Sequence, residues 1–99
     1  MARSSAKSID RTWLVRFVIR DEAAAPRYRV GDRVLYDADA AADAGEDVVA
    51  QLKDGRWVIA SLVGQTGEDI YLETAAGIGR APRDQLVGVW PIRARETLS

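Results

Sequence analysis

Apolar and polar residues alternate with a period of two along several short segments of this chain. The clearest case begins at Thr12, after which Trp13, Val15, Phe17 and Ile19 occupy every second position. This period is typical of a β-strand, in which successive side chains point to opposite faces of a sheet. Similar short runs, rich in β-branched and aromatic residues, predict further strands over 33–36, 48–52, 56–62, 69–73 and 85–92.

Turn signals separate these runs. The dipeptide Asp54-Gly55 lies between two of the predicted strands, and it favours a tight hairpin in which Gly55 adopts a positive φ. The segment 37–47 is rich in alanine and aspartate and has no apolar stripe, so a loop is expected there. The segment 74–83 contains glycines and a proline and is also predicted to be a loop.

About six short strands without a predicted helix indicate a mostly β fold, either a partly open barrel or a pair of packed sheets. We expect a flexible tail over 1–11, a single β domain over 12–95 and a second tail over 96–99. An SH3-like barrel built from the same strands is an alternative arrangement.

The absence of two residue types restricts the chemistry. The chain has no cysteine and no histidine. This excludes the usual nucleophile–base pairs and most transition-metal sites, so no cofactor is expected. No apolar stretch reaches the length of about 18 residues needed for a membrane span, and residues 1–10 lack the apolar segment of a secretory signal. We therefore predict a cytoplasmic protein without membrane contact.

Charge is segregated along the chain although the net charge is only −1. Basic residues dominate 1–20 and 80–95, whereas acidic residues dominate 37–54. Basic ends and an acidic middle favour self-association or an anionic partner. Solvated loop faces would give the same pattern.

One constellation resembles a known family. The run PRYRVGDRVLYD at 26–37 places an aromatic residue and Gly-Asp before a short apolar strand that ends in aspartate. Gly-Glu-Asp at 45–47 precedes the next apolar strand, and a turn, further strands and the closing run at 86–90 follow in order. Over roughly residues 15–93 the chain resembles the C-terminal domain of the LexA-like and phage-repressor self-cleaving peptidases. The resemblance implies the small LexA/signal-peptidase-like β-fold.

The resemblance also implies that peptidase activity is lost. In that family a serine attacks a peptide bond and a buried, neutral lysine accepts its proton. The serine position falls on Ala23 and the lysine position on Ala60, and neither side chain can attack or accept a proton. Lys53 lies in a predicted turn and Ser61 points away from Ala60, so neither replaces the missing groups. Because alanine adds no bulk, a groove that still binds peptide is a further hypothesis.

Three kinds of function remain open. The first is a non-enzymatic interaction or dimerisation module that regulates transcription by pairing with itself or with a repressor-type protein. In the family the closing strand contributes to pairing, so the resemblance implies an interface at Leu86, Val87, Val89, Trp90 and Ile92. The second is a small-barrel nucleic-acid-binding protein, which the tryptophans suit but the net charge disfavours. The third is an enzyme with a carboxylate or tyrosine site, or a carrier of a small ligand.

Overall fold

The computed structural model describes residues 14–20 and 28–96, which form a mostly β structure. Its strands are β1 (Val15–Val18), β2 (Arg33–Tyr36), β3 (Asp47–Leu52), β4 (Trp57–Gln65), β5 (Asp69–Thr74), β6 (Gly77–Pro82) and β7 (Leu86–Glu96). A 3-10 turn, Arg83–Gln85, precedes β7, and the described ranges contain no α-helix. The predicted mostly β fold is therefore confirmed.

The strands form one antiparallel sheet in the order β1-β2-β7-β3-β4-β5-β6. β7 lies between β2 and β3 because its two halves have different partners, 86–91 pairing with β3 and 92–96 with β2. The backbone N–H of Asp37 donates to the carbonyl of Pro91 at 3.0 Å, where this change of partner occurs. The strands of the described residues do not close into a barrel, so β1 and β6 are the end strands of this sheet.

The hairpin is confirmed, and Gly55 has a φ of +97°. The predicted loop over 37–47 is confirmed except at its last residue, because Asp47 begins β3. The prediction of a loop over 74–83 is wrong, because β6 occupies most of this segment. Its glycines and proline are typical of turns, but they are tolerated in an end strand, which has a neighbour on one side only. β7 continues past Pro91 to Glu96, since the Pro91 carbonyl still accepts a hydrogen bond where the strand changes partner.

The core has two parts, because β3 is buried on both faces of the sheet. One part, which we call the alanine face, consists of Ala42, Val48, Ala50, Ala60, Leu62, Ile70 and Leu72. The other, the aromatic face, consists of Ile19, Tyr28, Val34, Tyr36, Val49 and Ile59, with Phe17, Trp90 and Ile92 packed against them. Both faces bury apolar side chains, and both therefore contribute to stability.

Four rings join four strands on the aromatic face. Trp90 of β7 stacks on Tyr36 of β2, with ring centroids 5.4 Å apart and planes at 23°. Trp57 of β4 lies 5.2 Å from Phe17 of β1 and 6.3 Å from Trp90, measured between ring centroids. The Trp90 indole also lies directly over Gly88, where a Cβ atom would collide with the ring. Glycine at this position is therefore required by the packing of the tryptophan.

Because of this packing, the stability of the protein should fall at alkaline pH. Burial raises the pKa of the Tyr36 phenol above its ordinary value of 10.0. The unfolded chain ionises near that ordinary value and releases its proton first, so rising pH favours unfolding. We expect the contribution of Tyr36 to be complete below its ordinary pKa and to be lost as the pH rises through the pKa of the folded protein. Tyr36→Phe should make the free energy of unfolding, measured by urea denaturation, less dependent on pH between about pH 9 and 11. An equally steep loss of stability in the variant would contradict the assignment of this pH dependence to Tyr36.

Candidate functional site

Two grooves meet at Leu86 on the alanine face. The Val87 groove has a volume of about 250 Å³, and its lining combines the polar side chains of Gln65 and Arg83 with the apolar residues Ala42, Leu62, Ile70, Leu86, Val87 and Val89. The Gly79 groove has a volume of about 270 Å³ and is mainly apolar, and its lining includes Leu52, Val58, Leu72, Gly79, Ala81 and Leu86. Together they form a continuous surface from the start of β7 to the end strand β6.

Small residues open the Gly79 groove. The pairing of β5 with β6 places Gly77, Gly79 and Ala81 on the alanine face, opposite Thr74, Leu72 and Ile70. Because no residue of β6 carries more than a methyl group on this face, the end of the sheet is almost bare backbone. An added strand would therefore meet no bulky side chain there.

A β-bulge exposes the side chain that gives the Val87 groove its name. Leu86 pairs with Leu52 and Gly88 pairs with Gln51, so Val87 has no residue opposite it. A bulge of this kind changes the direction of a side chain from the one that regular alternation along the strand would give it. Val87 is 55% exposed and lies in the half of β7 that pairs with β3, whereas β2 pairs only with 92–96.

The structure separates the residues of the predicted interface. Leu86, Val87 and Val89 line the Val87 groove. Trp90 and Ile92 pack against the aromatic core on the other face of the sheet, and both are half-buried. An interface at β7 therefore stays a prediction for the first three residues, whereas the last two have a role in holding β7 to β2.

The two alanines assigned to the lost dyad have different outcomes. Ala23 lies outside the described residues. Ala60 is only 6% exposed, belongs to the alanine-face core and lines neither groove. Ser61 points to the opposite face, where its hydroxyl donates to Asp47 Oδ1 at 2.9 Å. Lys53 lies exposed in the turn between β3 and β4.

The Asp47 carboxylate joins three parts of the chain. Its Oδ1 accepts from Ser61 of β4, and its Oδ2 accepts from the Tyr28 hydroxyl at 2.7 Å. The guanidinium of Arg95 lies over the Tyr28 ring, 5.5 Å from its centroid. Hydrogen bonds from two different segments to one carboxylate fix the positions of the donors, so this cluster anchors the segment before β2 to the sheet.

Several arginines of the basic segment 80–95 contact acceptors on the protein itself. Arg93 pairs with Glu46 at 3.0 Å, so this arginine pairs with the acidic loop. Arg83 Nε donates to the Thr66 carbonyl at 2.8 Å, and Arg80 lies 3.6 Å from a carboxylate oxygen of Asp69. These contacts reduce the positive charge that the segment offers to an anionic partner.

Sequence reasoning missed the half of the surface that β6 provides. The glycines and proline of 74–83 predict a loop, so the site predicted from sequence does not include the Gly79 groove. The sequence does contain a signal for this open strand face, because positions 77, 79 and 81 are glycine, glycine and alanine. Small residues at a period of two leave one face of a strand open, but periodicity is normally sought in apolar residues.

Within the described residues, no cluster of potential metal ligands is large enough to hold an ion, and no helix has the length and hydrophobicity to span a membrane. The site therefore consists of two grooves, one of them mainly apolar, beside the end strand β6 of the described sheet. Comparisons with protein-family models, curated proteins and solved structures find no match to this chain.

Proposed function

We propose that this protein is a non-catalytic interaction module that pairs with a second copy of itself through the alanine face. One observation carries the proposal: two grooves, of which the Gly79 groove is mainly apolar, meet at Leu86 and extend to the end strand β6 of the described sheet. The resemblance to repressor C-terminal domains supports the same function and connects it with the regulation of transcription. A repressor-type protein is the alternative occupant.

The chemistry of the grooves favours a protein partner. Leu52, Val58, Leu72 and Leu86 line the Gly79 groove, and apolar side chains inserted beside them would be removed from water. Pockets of this kind, filled by apolar anchors, supply most of the binding energy in protein interfaces. A nucleic acid would instead need open rings for stacking. Trp90 and Tyr36 stack on each other, so their facing surfaces are occupied.

Light scattering over a range of concentrations tests the proposal. We expect a dimer whose dissociation constant rises at least tenfold in Val87→Asp, because the change replaces an apolar side chain of the groove by a charge that dimerisation would have to desolvate (about 1.4 kcal/mol per tenfold). Trp90 is unsuitable for this test, since its replacement would disturb the aromatic core.

Val63→Asp is the matched control. Val63 is 45% exposed, lies in the β4 bulge and lines neither groove, so the same change there should leave dimerisation unaltered. Equal weakening by both variants would show a general charge effect and contradict the proposed surface. A wild-type monomer at every concentration would reject self-pairing and make a repressor C-terminal domain the next partner to test.

A further inference from the structure

The pairing of β5 with β6 determines which backbone groups of β6 are open. The N–H of Arg83 donates to the carbonyl of Glu68 at 2.9 Å, and these residues flank the pair Asp69 and Pro82. In an antiparallel ladder this bond marks Asp69 and Pro82 as a non-hydrogen-bonded pair, and such pairs alternate with hydrogen-bonded ones. The N–H and C=O groups of Ile78 and Arg80 therefore point away from β5.

The side chains beside these open groups allow a strand to approach. On the alanine face, a Cβ atom added at Gly79 would meet no atom within 4 Å. On the opposite face, Ile78 is 63% exposed and the Arg80 side chain is also largely exposed. An exposed isoleucine beside backbone groups that no described strand pairs with is a surface suited to strand addition.

We propose that two copies join β6 to β6 in antiparallel orientation, with Gly79 facing Gly79 of the partner copy at the two-fold axis. This inference rests on the proposed self-pairing and specifies its geometry. Ile78 of each copy then exchanges both backbone hydrogen bonds with Arg80 of the other, so the open donors and acceptors satisfy one another. The two Gly79 grooves become one, because facing residues lie on the same face of a sheet.

The chemistry of β6 selects this register over its neighbours. A register centred on Arg80 would place two arginines opposite each other, which is unfavourable. It would also place Pro82, which has no N–H, where a donor is needed. A register centred on Ile78 would pair Arg80 with Ala76, which lies in the turn between β5 and β6. Only the Gly79 register uses open groups of the strand alone.

Charge also supports the Gly79 register. Within one copy Glu73 pairs with Ile78, so the Glu73 side chain lies beside Ile78 on the face opposite the alanine face. Pairing adds Arg80 of the partner copy on the other side of Ile78. The arginine can extend over the isoleucine to the exposed Glu73 carboxylate, and symmetry repeats this contact. Each Arg80, now 3.6 Å from Asp69, gains a second carboxylate.

A single cysteine tests the register, since the chain contains no cysteine of its own. Facing residues of a non-hydrogen-bonded pair have Cα atoms about 4.5 Å apart, which falls within the range for a disulfide. Gly79→Cys should therefore form a covalent dimer rapidly under mild oxidation. In Ala81→Cys, the control, the two sulfur-bearing residues would lie roughly 14 Å apart along the strands and should remain reduced.

The outcomes separate this inference from the proposed function. A dimer by light scattering without a Gly79→Cys crosslink, or with equal crosslinking of both variants, would overturn the β6 pairing and leave self-association intact. A wild-type monomer would reject both. If Gly79→Cys does not fold, a mixture of Ile78→Cys and Arg80→Cys takes its place, because these positions face each other across the axis. Their mixed disulfide is expected, and its absence would also overturn the register.

Discussion

Replacing Trp90 with alanine should lower the free energy of unfolding by about 3 kcal/mol, at the lower end of the cost of removing a buried aromatic side chain, because Trp90 is half-buried. The indole stacks on Tyr36 with centroids 5.4 Å apart and lies 6.3 Å from the Trp57 ring. Its loss would therefore weaken contacts among β2, β4 and β7. Domains of this size are stable by about 5–15 kcal/mol in total, so the variant should be only marginally folded.

Urea denaturation followed by circular dichroism measures this loss, and Trp57→Ala is the matched control. Trp57 is also an indole of the cluster, but it is 37% exposed, so its removal should cost clearly less. Equal losses for the two variants would contradict the central position of Trp90.

The contact between Trp90 and Gly88 can be isolated by a double-mutant cycle. Gly88→Ala should cost about 1–3 kcal/mol in the wild type, because its Cβ would displace the indole. In the Trp90→Ala background the same change should be nearly neutral, since the space above Gly88 is then empty. An identical cost in both backgrounds would show that the indole does not restrict this glycine.

The local sequence predicts where the strands lie along the chain better than it predicts their order in the sheet. The short apolar runs at 33–36 and 48–52, the second followed by the Asp54-Gly55 turn, predict β2 and β3 closely because these signals are local. The position of β7 between β2 and β3 depends on contacts between distant parts of the chain. Nothing in the run 86–90 indicates that its neighbours come from two earlier and separate segments.

For the same reason, the sequence predicts only part of the candidate site. Alternation alone implies that Val89 and Trp90 point to opposite faces, so the closing strand could not present all its apolar residues to one partner. The bulge at Val87 depends on the pairing of β7 with β3 and has no local signal. The apolar residues of β7 are thus divided between holding the sheet together and lining a groove.

Restoring a lysine at Ala60 should destabilise the protein strongly. The resemblance places the lysine of the peptidase dyad here, and in that family the side chain reaches a substrate groove. The Ala60 methyl instead lies in the alanine-face core, pairs across the strands with Val48 and is 6% exposed. A buried lysine costs on the order of 4–7 kcal/mol near neutral pH because its charged form is desolvated. We expect Ala60→Lys to be largely unfolded, with Val63→Lys, at an exposed position, close to the wild type.

The pH dependence of the lysine variant distinguishes a buried amine from simple overpacking. Burial would lower the pKa of the introduced lysine below its value in the unfolded chain, so the unfolded state would bind the extra proton. The deficit of Ala60→Lys relative to Val63→Lys should therefore be largest below the lowered pKa and shrink as pH rises toward the ordinary value for lysine. A deficit that is constant with pH would indicate steric strain alone. Normal stability at neutral pH would mean that position 60 opens to solvent and would contradict the packing described above.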